Sequence, residues 1–326
     1  MTLYVVTGAG PVGWTVAEQL AQSGNTVRIL TRSGTGPDHP DIEKLRIDAS
    51  DPVALAFAVQ GATAIFHCIH GSAYSAAAWQ RELPAAEAVV LEAAHREGAV
   101  VVFPESLYSY SRPDAIMTED SERSADGGKR GVRTQLLAAR AASPADTISV
   151  VASDFYGPRV RTAHAGDRMV PAVLKGSPIQ LLGSPDAPHS FTYIPDLAAA
   201  MIAATHLPRT SNRVLHAPTL PALSQRALVS ALAEDAGVVA PRLTGMPGWL
   251  VRALGLVLPS MRELAELAYQ FERPFVMDSS ASEALLTLTP TPLDEAVART
   301  VRWWRAELAT AQVNAVSDQR LVPDGT

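Results

Sequence analysis

Seven residues near the N-terminus constrain the fold of this chain more than any other feature. Thr7-Gly8-Ala9-Gly10-Pro11-Val12-Gly13 sets three glycines in the spacing G-x-G-x-x-G. The string follows a short apolar run, Leu3–Thr7, and opens an amphipathic one, Val12–Ser23. Strand, glycine turn and helix is the context in which this spacing cradles a pyrophosphate. Gly8 would permit the tight turn, Gly10 would let backbone approach the phosphates, and Gly13 would let the helix pack closely on the strand. The helix N-terminus would then offer free N–H groups to the anion. The bland alternative is a glycine-rich turn that holds nothing.

The runs that follow alternate between strand and helix character. Strands are predicted at Thr26–Thr31, Leu45–Ile47, Ala64–Ile69, Ala99–Phe103 and Thr147–Ala152. Helices are predicted at Pro52–Val59, Trp79–Gly98 and Gly128–Ala142. Such alternation predicts βαβ units with right-handed crossovers, hence an α/β fold with a doubly wound parallel sheet of the Rossmann kind. Past residue 155 prolines and glycines become frequent, from Gly157-Pro158 to Pro188, and helical segments return at Ile194–His206, Ser224–Ala236, Gly248–Val257 and Leu293–Leu308. The organisation expected is a dinucleotide-binding domain over 1–155 and a smaller α+β substrate domain over 156–309, with strands returning to the core sheet. A flexible tail is expected over 310–326.

Composition excludes several classes. Across 326 residues the net charge is -6, which argues against a general nucleic-acid binder. One cysteine rules out a disulfide framework and a cysteine-rich metal site. No apolar stretch approaches the roughly 18 residues of a membrane span. The N-terminus has neither a charged leader region nor a cleavage site, so a cytoplasmic protein is expected. His67 and His70 on one strand would face opposite sides, so no metal site is expected there.

The second strand ends Ile29-Leu30-Thr31-Arg32-Ser33. An NAD site usually carries an acid at this point for the ribose 2′-hydroxyl. None is present, whereas the guanidinium of Arg32 suits a 2′-phosphate. NADP(H) is therefore expected over NAD(H); the alternative is that Arg32 is an ordinary surface side chain.

With these residues in hand, the chain resembles the extended short-chain dehydrogenase/reductase family, of the NAD-dependent epimerase/dehydratase type, from Met1 to about Leu308. Ile47-Asp48-Ala49 resembles the family's acid after the third strand, which contacts adenine. Phe66-His67-Cys68-Ile69-His70 is similar to the fourth-strand end that lies along the cofactor, and Phe155-Tyr156-Gly157-Pro158 to its "VYGP" turn. Phe191 to Ala198, and Pro290 to Leu293 with Thr300 to Trp303, resemble two further stretches. The resemblance implies cofactor contacts at Thr7, Gly8, Gly10, Pro11, Val12, Gly13, Arg32, Asp48, Ala49, Cys68, Ile69, His70, Phe155 and Tyr156.

The resemblance fails at the catalytic tyrosine. The family uses a serine or threonine after the fifth strand, then Tyr-x-x-x-Lys on the next helix. Ser106 matches the serine, four residues before Tyr110. No tyrosine occurs between Tyr110 and Tyr156, and the best superposition puts Lys129 at the tyrosine and Arg133 at the lysine. Spaced i and i+4, Lys129 and Arg133 share a helix face. Lys129 is expected as proton donor, with a lowered pKa, and also beside the cofactor; Arg133 is expected to hydrogen-bond the cofactor ribose. The alternative is a solvated basic helix start. Tyr108 and Tyr110 are rival donors, unless they merely pack. Arg159, Arg161 and His164 are basic loop residues that could meet a polar or anionic substrate; the alternative is an ordinary surface loop.

These readings favour an NADPH-dependent oxidoreductase acting on a small-molecule carbonyl or related group. Non-redox epimerase, isomerase or lyase chemistry, and a catalytically silent NADP(H) sensor, are the alternatives. The partners expected are a small-molecule substrate and a second copy as homodimer, with neither nucleic acid nor membrane.

Overall fold

The computed structural model describes residues 2–209 and 211–320. In chain order the first half runs β1 (Leu3–Thr7), α1 (Pro11–Gln22), β2 (Thr26–Thr31), β3 (Ile42–Arg46), α2 (Pro52–Ala58), β4 (Ala64–His67), α3 (Ala76–Glu97), β5 (Val100–Ser106), α4 (Gly128–Ala142) and β6 (Thr147–Ala152). The second half continues with β7 (Asp154–Tyr156), α5 (Val170–Leu174), β8 (Ile179–Leu182), β9 (Pro188–His189), β10 (Phe191–Tyr193), α6 (Ile194–Ala204), β11 (Asn212–His216), β12 (Leu223–Ser224) and α7 (Gln225–Asp235). It closes with β13 (Leu243–Met246), α8 (Gly248–Leu254), α9 (Pro259–Ala265), α10 (Tyr269–Glu272), α11 (Ser280–Leu286) and α12 (Leu293–Arg320).

Seven strands form one parallel sheet in the order β11-β6-β5-β4-β1-β2-β3. Successive residues of β1 point to opposite faces, as strand geometry requires. Tyr4 and Val6 pack under Val16 and Leu20 of α1 and Leu197 and Met201 of α6. Val5 packs on the other face with Leu55 of α2 and Val90 and Ala94 of α3. Both faces are therefore covered, which is why β4 and β6 are buried along their whole length. Local chemistry sets the helix ends. Asp51 accepts hydrogen bonds from the N–H groups of Val53 and Ala54 at the start of α2. Gly98, at φ 66°, ends α3 in the left-handed region.

Beyond β6 three two-stranded pairings, β10-β7, β12-β9 and β13-β8, stand beside α7 to α10, while β11 returns to the edge of the main sheet. Several boundaries differ from expectation, among them β3, which runs Ile42–Arg46 rather than Leu45–Ile47, and α3, which begins at Ala76 rather than Trp79; α9, α10 and α11 lie in none of the expected segments. Strand β4 stops at His67, so His70 lies on a loop rather than on the strand. Helix α12 runs on to Arg320, past the tail boundary at 310; residues 321–326 lie outside the described residues. No helix among the described residues is long and apolar enough to cross a membrane.

The chain leaves β1 toward β2 and β3 on one side, then crosses back to β4, β5 and β6 on the other. The switch falls between β1 and β4. In such sheets the ligand crevice lies outside the carboxyl ends of those two strands, where the glycine loop and Cys68-Ile69-His70 emerge.

Candidate functional site

The glycine loop is tightly packed at two of its glycines and open at the third. Gly8 sits at φ +90°, and a Cβ there would stand 3.0 Å from the Cys68 carbonyl oxygen. A Cβ on Gly13 would lie 2.0 Å from the Gly8 carbonyl oxygen, so only glycine lets α1 seat against the turn. Gly10 is different: it is exposed, and a Cβ there would meet nothing within 4 Å. The space above Gly10 is thus not needed by the protein's own packing. No side chain caps α1, and Pro11 at its first position has no N–H to satisfy. An uncapped helix start above an open glycine fits a pyrophosphate.

Arg32, just past β2, is exposed and holds no ion pair among the described residues. Asp48 stands past β3 on the same edge. Its carboxylate accepts from both the N–H and the hydroxyl of Ser50, at 3.0 and 2.6 Å. Those bonds hold its carboxyl below the usual range, with Arg32 adding a smaller push.

Three expected cofactor contacts are not presented to the crevice. Thr7 is fully buried and its hydroxyl bonds His67 Nδ1 at 2.9 Å. Ala49 is buried in the core beneath α2 and α3. Tyr156 is 3% exposed and packs against Tyr193, Met169 and Val173, because the β7 turn carries it into the second core. Cys68 and Ile69 do flank the loop, and burial pushes the Cys68 thiol up. Phe155 packs on the first core. The His70 ring stands 4.7 Å from Trp79, edge to face. No cluster of metal ligands occurs among the described residues.

At the end of β5 lies a buried charge chain that sequence reading missed. Glu105 is 2% exposed. Its Oε2 accepts from Arg140 Nη1 at 2.8 Å, and Arg140 in turn grips both oxygens of Glu87 at 2.7 and 2.6 Å. Arg140 also donates to Ser149 Oγ and lies 3.9 Å over the Phe103 ring. Glu105 Oε1 accepts from the Ser106 N–H at 2.7 Å and from its hydroxyl at 3.3 Å, and stands 3.5 Å from Arg133 Nη1. Ser106 is therefore at the predicted place, with its hydroxyl turned to a carboxylate. A glutamate after Val-Val-Val-Phe-Pro, and an arginine on the inward face of α4, were the available signals: charges at buried positions demand partners.

Lys129 and Arg133 do share an inward face, and the solvated basic start is not what forms. Lys129 is fully buried. Its ammonium donates to Glu263 Oε2, to the Glu263 carbonyl oxygen at 3.1 Å and to Glu266 Oε2 at 2.8 Å. Its backbone N–H meets Glu266 Oε1 at 2.6 Å. Three donors serve three acceptors, so none is left for a substrate. The expectation of Lys129 as proton donor is corrected: α9 has taken it as a clasp on the start of α4.

The tyrosines separate likewise. Tyr110 is 1% exposed, packed among Leu107, Met117, Phe275 and Met277, with its hydroxyl 2.5 Å from His216 Nε2. Burial pushes its phenol up to about 12. It is a core residue, not a donor facing the crevice. Tyr108 turns the other way, packing by Trp79, and its hydroxyl meets that of Tyr74 at 2.5 Å. Burial, then Tyr74, raise its phenol well above the usual value. Tyr74 carries the Lys129 ammonium 5.2 Å over its ring and was not singled out from sequence, being 34 residues from its partner.

The basic loop residues are already engaged. Arg159 pairs with Glu18 at 3.1 Å, Arg161 with Glu307 and with Asp167 at 3.6 Å, and His164 Nε2 with Gln225 Oε1. They are held by the protein rather than kept for an anion.

The cradle and switch point define a dinucleotide-binding α/β protein. A model of the NAD dependent epimerase/dehydratase family matches residues 4–215, more than half of the chain; the chain belongs to that family of enzymes. No curated protein matches it. Among solved structures it is similar to MoeE5 in complex with UDP-glucuronic acid and NAD, at 22% identity and TM-score 0.72, covering 93% of this chain and 99% of that one. It is also similar to UDP-glucose 4-epimerase with UDP-glucose from Thermotoga maritima, at 17% identity and TM-score 0.73, covering 94% and 100%. WbmH of Bordetella bronchiseptica in complex with NAD+ gives 17% and 0.70, covering 94% and 98%. At these identities the likeness is one of fold.

Proposed function

We propose that this chain is an NADP(H)-dependent oxidoreductase acting on a small-molecule carbonyl or related group. The observation that carries the cofactor choice is Arg32: exposed, without an ion pair among the described residues, and standing where an acid would favour the free ribose hydroxyl. Gly8, Gly10, Pro11, Val12 and Gly13 would hold the pyrophosphate, Arg32 the 2′-phosphate, and Asp48 the adenine edge. Cys68, Ile69 and His70 would flank the nicotinamide half, near Ser106. The bound nicotinamide supplies or accepts the hydride.

The chain's own residues handle the proton. Lys129 and Tyr110 are committed elsewhere, so Tyr108 remains as donor, linked through its hydroxyl to Tyr74. Tyr74 is half exposed and returns a proton from water. No metal takes part in this reading; the partners are a small molecule and a second copy of the chain.

Titrating NADPH and NADH into wild type and Arg32→Ala tests the reading. NADPH should bind more tightly, and the variant should lose about 1–3 kcal/mol for NADPH alone, the size of one charge-assisted hydrogen bond. Equal losses for both dinucleotides defeat the assignment. A second reading draws on the family, whose name includes epimerases. Tightly retained dinucleotide with no net redox turnover would favour it, and binding without any turnover would favour a sensor.

A further inference from the structure

Asp154 opens β7 two residues past Ala152, which pairs with Ser106 at the end of β5. Tyr108 stands two residues past Ser106. The carboxylate and the phenol thus leave the carboxyl ends of adjacent strands, where ligands bind in such sheets. Burial is the main cause that raises the phenols of Tyr74, Tyr108 and Tyr269, and the Asp154 charge adds to all three. One carboxylate therefore stands among three phenols.

The carboxylate is held from behind. His189 is 1% exposed and stacks on Phe271 at 4.7 Å and on Phe275 at 5.3 Å. Its Nδ1 donates to the Gln270 carbonyl oxygen at 3.1 Å, which fixes the ring, and its Nε2 meets Asp154 Oδ2 at 2.6 Å. Among the described residues no hydrogen bond reaches the other oxygen, Oδ1. The Tyr269 hydroxyl is buried with no hydrogen-bond partner. A free acceptor and an orphaned hydroxyl near one crevice call for polar groups from outside the chain.

The neighbours decide the charge of those groups. An anion would meet the Asp154 carboxylate with no cation kept for it. Arg159 and Arg161 are paired with carboxylates, Lys129 is held by Glu263 and Glu266, and Arg130 donates to the carbonyls of Tyr108 and Tyr110. A cation would find the rings of Tyr74, Trp79 and Tyr269 already covered by Lys129, Arg133 and Arg130, at 5.2, 4.7 and 5.2 Å, and Asp154 already engaged by His189. An uncharged hydroxyl supplies the donor that Oδ1 lacks and meets neither obstacle.

We propose that Asp154 is a specificity-determining residue: held by His189, it presents Oδ1 to accept a hydrogen bond from a hydroxyl of an uncharged, hydroxyl-bearing carbonyl substrate. His189 is the positioning residue behind it. The inference rests on the proposed function, in that the carbonyl of that substrate meets Tyr108.

The test is the NADPH-dependent reduction of four small ketones: dihydroxyacetone, its phosphate ester, acetone and aminoacetone. Wild type should favour dihydroxyacetone over each of the others in kcat/KM by about tenfold or more, the size of one hydrogen bond to a charged group. Asp154→Asn keeps the oxygen and removes the charge. It should keep the preference over acetone and raise the phosphate ester about tenfold relative to dihydroxyacetone, a gain that damage to the fold would not produce. Asp154→Leu removes the acceptor and should level dihydroxyacetone with acetone. His189→Gln should raise KM for dihydroxyacetone with kcat held, and add nothing to Asp154→Leu, since a residue acting through another is non-additive with it. Circular dichroism and Tm report folding; if Asp154→Leu does not fold, Asp154→Asn carries the test. A wild type that favours the phosphate ester, acetone or aminoacetone overturns the proposal, and so do unchanged ratios in Asp154→Asn. A wild type that binds NADPH and reduces none of the four defeats the oxidoreductase reading, and this assignment falls with it.

Discussion

At the scale of single residues, three glycines that look alike in the sequence fall into two kinds. Gly8 and Gly13 serve the protein's own backbone, since a Cβ at either meets a carbonyl oxygen at 3.0 or 2.0 Å. Gly10 leaves open space, since a Cβ there meets nothing within 4 Å. Gly10→Val should therefore keep its Tm and circular dichroism and lose dinucleotide binding, because the added side chain fills the space a pyrophosphate needs. Retained binding in an equilibrium titration would reduce the loop to a turn. The motif's position and context were legible in the sequence because strand, glycines and helix are contiguous. The role of Lys129 was not, because Glu263 and Glu266 lie 134 and 137 residues away. Spacing along one helix says which side chains share a face, not what packs against that face.

At the scale of elements, that clasp joins α9 to the first turn of α4. The three acceptors around Lys129 come from a segment to which the sequence pattern assigned no element, between the helices expected at Gly248–Val257 and Leu293–Leu308. Glu266 also supplies the carboxylate that the start of α4 lacks, through the Lys129 N–H, which offsets the unfavourable basic residues there. Lys129→Met removes the cation and leaves two carboxylates facing each other. Both are part exposed, at 31% and 24%, so the cost should be about 1–3 kcal/mol, below that of breaking a fully buried pair. Urea unfolding measures it, and amide exchange should rise across α9 and the start of α4. Dinucleotide binding should survive. Unchanged stability together with lost turnover would return Lys129 to the role of proton donor.

At the scale of the whole molecule, folding buries imidazoles in both halves of the chain. His67 is 3% exposed, and burial pushes its pKa down to about 4. Burial lowers His164 and His216 as well. A histidine whose folded pKa lies below its unfolded value near 6.5 binds protons more readily when unfolded. Its contribution to stability is thus complete above about pH 6.5 and is lost as pH falls toward 4. From pH 7 to pH 5 His67 alone should cost about 2 kcal/mol. Urea midpoints across that range in wild type and His67→Asn check it; the variant should flatten the slope, and an already flat wild-type profile would contradict a buried neutral imidazole.

The sequence by itself determined the alternation of strands and helices, the sheet class, the glycine cradle and the family, because each rests on neighbours within a few residues or on hydrophobic period. It also placed Ser106 at the end of β5. Tertiary structure alone decided which polar groups face the crevice. Tyr108 and Tyr110 are two residues apart, yet one turns to Tyr74 and the other to His216. Glu105, Arg140 and Glu87 read as isolated charges until the packing of β5, α4 and α3 brings them to one buried point. The physical reason is that a buried charge takes its partner from whatever element folding lays against it, and no local pattern encodes that neighbour.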